Sequence, residues 1–214
     1  TQNQSSAASD VYKRQFETFN QSNVHLIDLK ENPIKNITTD SIESDRVYDI
    51  DTLILATGFD AMTGALTSID ISGRDSIKLK DQWESGAKSY LGIGIANFPN
   101  LFTVTGPGSP SVLSNMMPSI EQHVNWITGC IEWMIKNNKE VIESSKTAED
   151  DWMVLVNEIA DTTIFTDTKS WYNGSNIEEK AKAFLPFIGV PVYTEMLEEI
   201  VSEDYKGFIF DKAN

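Results

Sequence analysis

Two turns of small residues in this sequence have the residue types and spacing that could hold a ligand against the backbone. The first is Ala56-Thr57-Gly58, directly after the apolar run Thr52–Leu55. We predict that this run is a short buried strand. Small residues at a strand's carboxyl end let a ligand approach closely, and glycine adopts dihedral angles that a side chain forbids. Because cofactors of open α/β sheets bind at that edge, the pattern predicts a cofactor site.

The second turn is Gly106-Pro107-Gly108-Ser109-Pro110, and it links a predicted buried strand, Leu101–Thr105, to the longest helical pattern, Ser111–Met134. Ser109 or Ser111 can cap this helix, with Pro110 tolerated in its first turn. A helix N-terminus after a glycine-rich turn presents backbone N–H groups and the positive end of the helix dipole, which favour anionic or electron-rich ligand atoms. The alternative is a tight β–α turn that holds no ligand.

Other candidate groups give weaker signals. The glycines of Tyr90–Ala96 lack a third, correctly spaced glycine, so this run is not a dinucleotide-binding fingerprint. His25 has no second histidine or cysteine nearby, which indicates an ordinary strand histidine rather than a metal ligand. His123, beside Glu121 and Gln122, is either a proton shuttle or a partly buried, hydrogen-bonded helix residue. No Ser-His-Asp or metal constellation is present, so the catalytic residues stay unassigned and no metal is predicted.

Composition excludes several classes of function. The chain has 214 residues and a net charge of −15, from 17 basic and 32 acidic residues. This balance argues against binding nucleic acid through its phosphates. No run approaches the roughly 20 apolar residues that span a membrane, and no signal peptide opens the sequence. The single cysteine, Cys130, suits a reducing compartment, so we expect a cytoplasmic protein.

The predicted elements that position these turns are mixed α and β. A β-meander precedes the first turn, and helices predominate beyond Lys136. The apolar residues Ile120, Val124, Ile127 and Ile131 recur at helical spacing and are expected to form the buried face of the long helix. The predicted strands are 23–28, 34–39, 46–55, 69–75, 101–105 and 205–210, with a polar turn at 40–45. The later predicted helices are 148–160, with an apolar face of Trp152, Leu155, Val156 and Ile159, and 195–201.

Four runs of this sequence together resemble one family. They are Tyr48–Asp60, Phe59–Leu66, Gly106–Met116 and Ser170-Trp171-Tyr172-Asn173-Gly174-Ser175-Asn176-Ile177. They resemble the flavin-dependent Baeyer–Villiger monooxygenases of the cyclohexanone and phenylacetone monooxygenase group. The resemblance extends from about Phe16 to about Phe210 and matches only the C-terminal portion of such an enzyme. It implies an α/β fold: the C-terminal part of a flavoprotein with two Rossmann-like dinucleotide-binding domains, ending in a helical region.

The resemblance also implies a domain organisation. Residues 1–15 are a disordered or artefactual leader, 16–60 are the tail of an NADP-binding domain, and 61–214 are the C-terminal part of an FAD-binding domain. A loop near 170–177 covers the cofactor. Arg14 stands too close to Phe16 to match the family's functional arginine and is not given that role. The family usually continues the covering loop with Pro-Gly-Lys-Pro, whereas this chain reads Glu178-Glu179-Lys180-Ala181.

The implied cofactors are FAD and NADP, and the implied site residues follow from the matched motifs. We expect the first turn to join the nucleotide and flavin domains, the run 106–116 to form the flavin and substrate wall, and Trp171 to contact NADP. The cofactor-binding residues are Ala56, Thr57, Gly58, Asp60, Gly106, Gly108, Asn115, Met116 and Trp171. The residues of the substrate pocket are Ser111, Val112, Leu113 and Met116.

The implied reaction uses FAD, NADPH and O2. The flavin is reduced by NADPH and forms a peroxide, which inserts an oxygen atom next to a ketone carbonyl to give an ester or lactone. The N-terminal half, with both nucleotide fingerprints, is missing, so we expect this chain to be inactive without it. One alternative is a flavin-containing monooxygenase that oxidises nitrogen or sulfur in soft nucleophiles. Another is a non-catalytic, degenerate fragment that acts as an interaction module through its acidic residues 136–160.

Overall fold

A computed structural model of the chain describes residues 15–57, 60, 63–110, 116–163 and 189–212. The chain divides into two compact units, Thr1–Thr57 and Gly58–Asn214. We call them the N-terminal unit and the C-terminal unit and describe each by itself.

The N-terminal unit contains one short helix and a three-stranded antiparallel sheet. Helix α1 is Gln15–Phe19, and the strands β1 (Asn36–Ile37), β2 (Ser41–Glu43) and β3 (Val47–Asp49) lie side by side in that order. The predicted meander is therefore confirmed, but its strands differ from the prediction.

The expected polar turn at 40–45 is wrong, because β2 occupies its centre. The turn lies earlier, where the hydroxyl of Thr38 donates to Asp40 Oδ1 at 2.8 Å and accepts from the Ser41 backbone N–H at 3.0 Å. Short polar side chains that bond to nearby backbone in this way specify turns. The turn at Thr38–Ser41 leaves Ser41–Glu43 free to pair with both neighbouring strands.

Two predicted strands of the N-terminal unit are wrong. Residues 23–28 and the apolar run 52–55 are not strands, and Ile54 and Leu55 are 81% and 73% exposed. A strand needs a neighbour to complete its backbone hydrogen bonds. No described strand of this unit pairs with either run, so an apolar pattern alone was not sufficient to predict a strand.

The C-terminal unit contains a two-stranded antiparallel sheet of β4 (Val141–Ser144) and β5 (Phe208–Asp211). Val141 faces Asp211, and Ser144 faces Phe208. Strand β5 confirms the predicted terminal strand. Strand β4 corrects the expectation of helices beyond Lys136, because its partner lies far along the chain and local pattern gave no signal for the pairing.

Helices make up most of the rest of this unit. The short ones are α2 (Gly64–Thr67), a 3-10 turn at Arg74–Ser76 and α3 (Leu79–Gln82); the long ones are α4 (Met116–Lys136), α5 (Lys146–Asp161) and α6 (Val190–Ser202). The helix predicted at 148–160 is confirmed, with Ser145 as its N-cap. The predicted strands 69–75 and 101–105 reduce to single bridges, Ser72 with Lys78 and Phe102 with Gly94.

The core of the C-terminal unit has two clusters. The larger one joins residues 90–93 to helices α4, α5 and α6, and the smaller one surrounds Leu79, Trp83 and Phe98. The residues of α4 that face the interior are Ser119, His123, Trp126, Cys130 and Met134.

The predicted apolar face of α4 is therefore wrong at Val124 and Ile131, whereas Ile127 is confirmed, since it is partly buried against the core. Val124 and Ile131 are 46% and 43% exposed. The helix instead packs through Trp126, whose ring lies 5.1 Å from that of Tyr205 and 5.3 Å from that of Phe208. An aromatic ring buries a large area, so the packing of Trp126 favours this inward face.

Candidate functional site

The glycine-rich turn 106–110 is buried and hydrogen-bonded to the loop at residues 89–94. The Gly106 backbone N–H donates to the Gly92 carbonyl at 3.1 Å, and the Thr103 hydroxyl donates to the same oxygen at 2.8 Å. The Ser89 hydroxyl donates to the Pro107 carbonyl at 2.6 Å and accepts from the Gly92 N–H at 3.0 Å. These bonds join the two loops into one backbone unit.

Helix α5 holds the same turn from another direction. The indole N–H of Trp152 donates to the Gly108 carbonyl at 3.1 Å, and Trp152 is 4% exposed. A buried tryptophan contributes a large apolar area and one polar group that needs a partner, so this contact fixes the turn both sterically and by hydrogen bonding.

The two glycines of the turn are required by the packing of the chain itself. A Cβ on Gly106 would lie 2.4 Å from the Thr103 hydroxyl oxygen, and one on Gly108 would lie 3.2 Å from Trp152 Nε1. Gly108 also has a φ of +84°, in the region that favours glycine. The turn thus offers a fixed surface on which the carbonyls of Gly106, Pro107 and Gly108 are already hydrogen-bonded within the chain. The cofactor-binding roles of Gly106 and Gly108 stay predictions.

His123 lies in the centre of this arrangement and is fully buried. Its Nδ1 accepts a hydrogen bond from the Thr105 backbone N–H at 3.0 Å, and its Nε2 lies 2.9 Å from the hydroxyl oxygen of Tyr193 on α6. Burial lowers the pKa of His123 to about 4, because a charged imidazolium is poorly solvated inside the protein. Of the two sequence-based interpretations, the hydrogen-bonded helix residue is confirmed, although His123 is fully buried and not partly buried.

Two carboxylates fix the neighbouring loop at 96–97. Glu149 Oε1 accepts from the Ala96 N–H at 2.9 Å, and Glu143 Oε1 accepts from the Asn97 N–H at 2.8 Å. Glu143 also pairs with Arg74. Burial raises the pKa of Glu149, mainly because a charged carboxylate is poorly solvated inside the protein. Sequence reasoning missed Glu149; its place one turn before Trp152 on the amphipathic helix was the available signal.

The other predicted site residues differ in their location and exposure. Ala56 and Thr57 are exposed and belong to the N-terminal unit. In the C-terminal unit, Asp60 is exposed and its carboxyl carbon lies 2.4 Å from the position of a Cβ on Gly64. Met116, partly buried, is the first residue of α4. The remaining predicted site residues lie outside the described residues: Gly58, Ser111, Val112, Leu113, Asn115 and Trp171.

A groove of about 610 Å³ runs between helices α4 and α6. Its lining includes Trp126 and Leu197, and the side-chain amide of Gln122 crosses between the helices to Thr194 Oγ1 at 2.6 Å. Met116 does not line this groove. The groove is thus separate from the described part of the predicted substrate wall.

In the part of the chain that the structure describes, histidine, cysteine and carboxylate side chains do not form a group of three or more that could hold a metal ion. Among the same residues, no helix combines the length and apolar character that crossing a membrane requires.

Comparison with known proteins identifies the relatives of the chain, although no family model matches it. It is 38% identical to the cyclohexanone 1,2-monooxygenase of Acinetobacter sp. over 196 residues, which are 90% of this chain. It is 39% identical to the phenazine N-monooxygenase of Lysobacter antibioticus over 91% of this chain. Each match covers 36% of the relative, so the chain spans about a third of the length of these enzymes.

A solved structure shows the same relationship. The structure of the OTEMO complex with FAD and NADP matches 92% of this chain and 37% of its own, with a TM-score of 0.84 and 33% identity. Over the segment that it shares with them, the chain is homologous to the Baeyer–Villiger monooxygenases. The predicted resemblance and fold class are confirmed: a mixed α/β segment of a flavoprotein with two dinucleotide-binding domains.

Proposed function

We propose that this chain forms part of an FAD- and NADPH-dependent Baeyer–Villiger monooxygenase, which inserts one atom of O2 next to a ketone carbonyl to give an ester or lactone. One observation carries the proposal: the 38% identity to cyclohexanone 1,2-monooxygenase extends over 90% of the chain. The match in fold to a structure that holds FAD and NADP supports both cofactors.

In this proposal the flavin supplies the redox chemistry, and the chain supplies surfaces that bind and orient the reactants. The described residues fit this division of roles, because the turn 106–110 is held rigidly by Ser89 and Trp152. Gly106–Met116, including Asn115, forms the flavin wall, and Ser111, Val112 and Leu113 shape the ketone pocket. Trp171 contacts NADP.

The first small-residue turn has a different role in the proposal. Ala56, Thr57, Gly58 and Asp60 join the tail of the NADP-binding domain, 16–60, to the FAD-binding portion, 61–214. The remaining segments of the enzyme supply the two nucleotide-binding fingerprints. This chain has one cysteine, Cys130, which is buried and free, and it supports a cytoplasmic location.

A second candidate function is the oxygenation of nitrogen in a heteroaromatic substrate. It is favoured by the phenazine N-monooxygenase, which is as similar to this chain as the ketone-oxidising relative. The run Gly106–Met116 favours the ketone reaction. An interaction module at residues 136–160 has less support, because β4 and α5 contribute Ile142, Trp152 and Val156 to the core.

A chimera tests the proposal. Residues 16–210 of this chain would replace the matching segment of the Acinetobacter cyclohexanone 1,2-monooxygenase, and the purified protein would receive NADPH with cyclohexanone or with phenazine. We expect NADPH-dependent formation of the lactone, measured by gas chromatography. The same chimera with Trp171→Ala should need a higher NADPH concentration. Phenazine N-oxide without lactone would support the second function, and a correctly folded chimera that forms neither product would refute both.

A further inference from the structure

The two hydrogen bonds of His123, with the Thr105 backbone N–H and with the Tyr193 hydroxyl, permit one consistent assignment of protons. The Thr105 backbone N–H can only donate, so Nδ1 of His123 must carry a lone pair. The imidazole is then neutral with its proton on Nε2, and this N–H donates to the hydroxyl oxygen of Tyr193. The Tyr193 hydroxyl donates in turn to the Leu91 carbonyl. Each of the three hydrogen bonds in this chain then has one possible direction.

The ends of this hydrogen-bond chain are the two loops that form the glycine-rich site. Thr105 directly precedes Gly106, and Leu91 directly precedes Gly92. The Gly106 N–H and the Gly92 carbonyl bond to each other at 3.1 Å. His123 and Tyr193 thus bond to the residue before each member of the glycine pair, from helices α4 and α6.

A space-filling role alone does not account for these two residues. His123 and Tyr193 are both fully buried, and each polar group placed in a core is costly unless it is hydrogen-bonded. Apolar side chains of similar volume would fill the same space without that cost. The polar pair satisfies the backbone groups of both loops, and this requires a fixed geometry at Thr105 and Leu91.

We infer that His123 and Tyr193 are positioning residues that hold the Gly106–Pro110 turn against the Leu91–Gly92 loop. Their relevance to oxygenation rests on the proposed function, in which this turn leads into the flavin and substrate wall. The hydrogen bonds themselves are properties of this chain and can be tested in the absence of any cofactor.

The first test measures the tautomer of His123 in the whole chain. The sequence has two histidines, and His25 is exposed, so His25→Gln leaves a single histidine signal without touching the site. In a 15N spectrum near pH 7, we expect a pyridine-type shift for Nδ1 and a pyrrole-type shift for Nε2. The opposite tautomer, or two pyrrole-type nitrogens, would overturn the inference because Nδ1 could not accept from Thr105.

The second test separates positioning from packing. His123→Leu removes both ring nitrogens, whereas His123→Asn keeps an acceptor oxygen near the position of Nδ1. We expect the Thr105 amide to exchange with solvent at least about tenfold faster in the leucine variant and to return to within about threefold of the wild-type rate in the asparagine variant. The Asn100 amide, which donates to the Ile142 carbonyl outside the network, serves as an internal reference.

Two further variants keep this test decisive. Tyr193→Phe should also speed exchange at Thr105, whereas Tyr90→Phe, which loses a hydroxyl bonded to the Lys206 carbonyl, should not. Equal rates at Thr105 in the wild type, His123→Leu and Tyr193→Phe would overturn the inference. Equal acceleration in the leucine and asparagine variants would do the same, since it would show that shape and not the acceptor matters.

The consequence for oxygenation is read separately in the chimera described above. We expect His123→Leu to lower kcat about tenfold with the KM for ketone changed less than about twofold, and His123→Asn to restore most of kcat. An inactive parent chimera counts against the proposed function only, because the exchange and 15N measurements still decide the role of His123.

Discussion

The two units of the chain differ in how well contacts within each unit bury its own apolar side chains. Among the described residues of the N-terminal unit, Ser44 alone is buried, and the side chains of Ile54 and Leu55 are 81% and 73% exposed. In the C-terminal unit, Leu91 and Tyr193 are fully buried. Similar apolar patterns thus gave a buried core in one unit and exposed side chains in the other.

The difference lies in contacts between residues far apart in sequence. In the C-terminal unit, strand β4 pairs with β5, and the Tyr193 hydroxyl reaches Leu91, 102 residues away. In the N-terminal unit, each described strand pairs with a neighbour a few residues along the chain. We conclude that the C-terminal unit contains its own core, whereas the apolar run 52–55 lacks a described partner within its unit.

Hydrogen exchange should show the largest contrast between the units. We expect the interior amides of α4, α5 and α6 to exchange on the order of a thousandfold more slowly than those of residues 47–55, because local opening is easiest where few apolar groups are buried. Exchange of the purified chain followed by mass spectrometry measures both regions at once. Equal protection in the two units would contradict this comparison.

Two truncations sharpen the same contrast. Trp152→Ala should lower the free energy of unfolding by about 3–5 kcal/mol, since it leaves a cavity in the core and an unpaired Gly108 carbonyl. Ile54→Ala, at an exposed position, should change it by less than about 0.5 kcal/mol. Urea titrations followed by far-UV circular dichroism compare the two variants. A large loss at Ile54 would show that its run has a partner in solution.

Acid should weaken the C-terminal unit through His123. Its pKa is about 4 when folded and 6.5 ordinarily, so below pH 6.5 the unfolded chain binds a proton that the folded chain does not. The stability that His123 contributes therefore falls as pH decreases from 6.5 to 4, by about 3 kcal/mol in total.

The control for this prediction is His123→Asn, which cannot titrate in this range. Glu149, with its raised pKa, acts in the opposite direction, but it is present in both proteins and cancels in their difference. Urea titrations of both proteins at pH 7 and pH 5 give the comparison. A stability difference between them that does not change with pH would contradict a neutral, buried His123.

The smallest effect is expected at the start of α5. The Ser145 hydroxyl accepts from the Ala148 N–H at 3.2 Å, so Ser145→Ala should cost about 1 kcal/mol of stability. Ser85 is exposed and lies outside the helices, so Ser85→Ala is a control of the same chemistry that should cost less. Thermal unfolding of the two variants measures this difference, and equal losses would contradict the capping role of Ser145.

The sequence predicted the elements whose pattern is local. Helix α5 has its apolar residues at regular helical spacing, and strand β5 is a compact aromatic and aliphatic run. Prediction from the sequence failed where contacts between residues far apart in the chain decide the structure. Strand β4 needs β5 as a partner, and the inward face of α4 is set by aromatic rings at Tyr205 and Phe208.

In the candidate site too, the local motif was predicted and the contacts from distant segments were not. The glycine-rich turn and its following helix were visible as a motif, because glycine, proline and serine at fixed spacing specify a local geometry. The groups that hold the turn were not predicted: Ser89, Thr103 and Trp152 reach it from other segments, and Tyr193 completes the contacts of His123. Single-sequence patterns contain no information on such pairings.

The most direct test of the account is the visible spectrum of the chimera that carries residues 16–210, recorded after gel filtration with FAD. We expect a retained flavin peak that NADPH bleaches without oxygen, whereas this chain by itself should elute without flavin. A folded chimera that elutes without FAD would contradict the claim that this segment belongs to a flavin-dependent monooxygenase. A flavin peak retained by the chain itself would contradict the expectation that the remaining segments are needed to hold the cofactor.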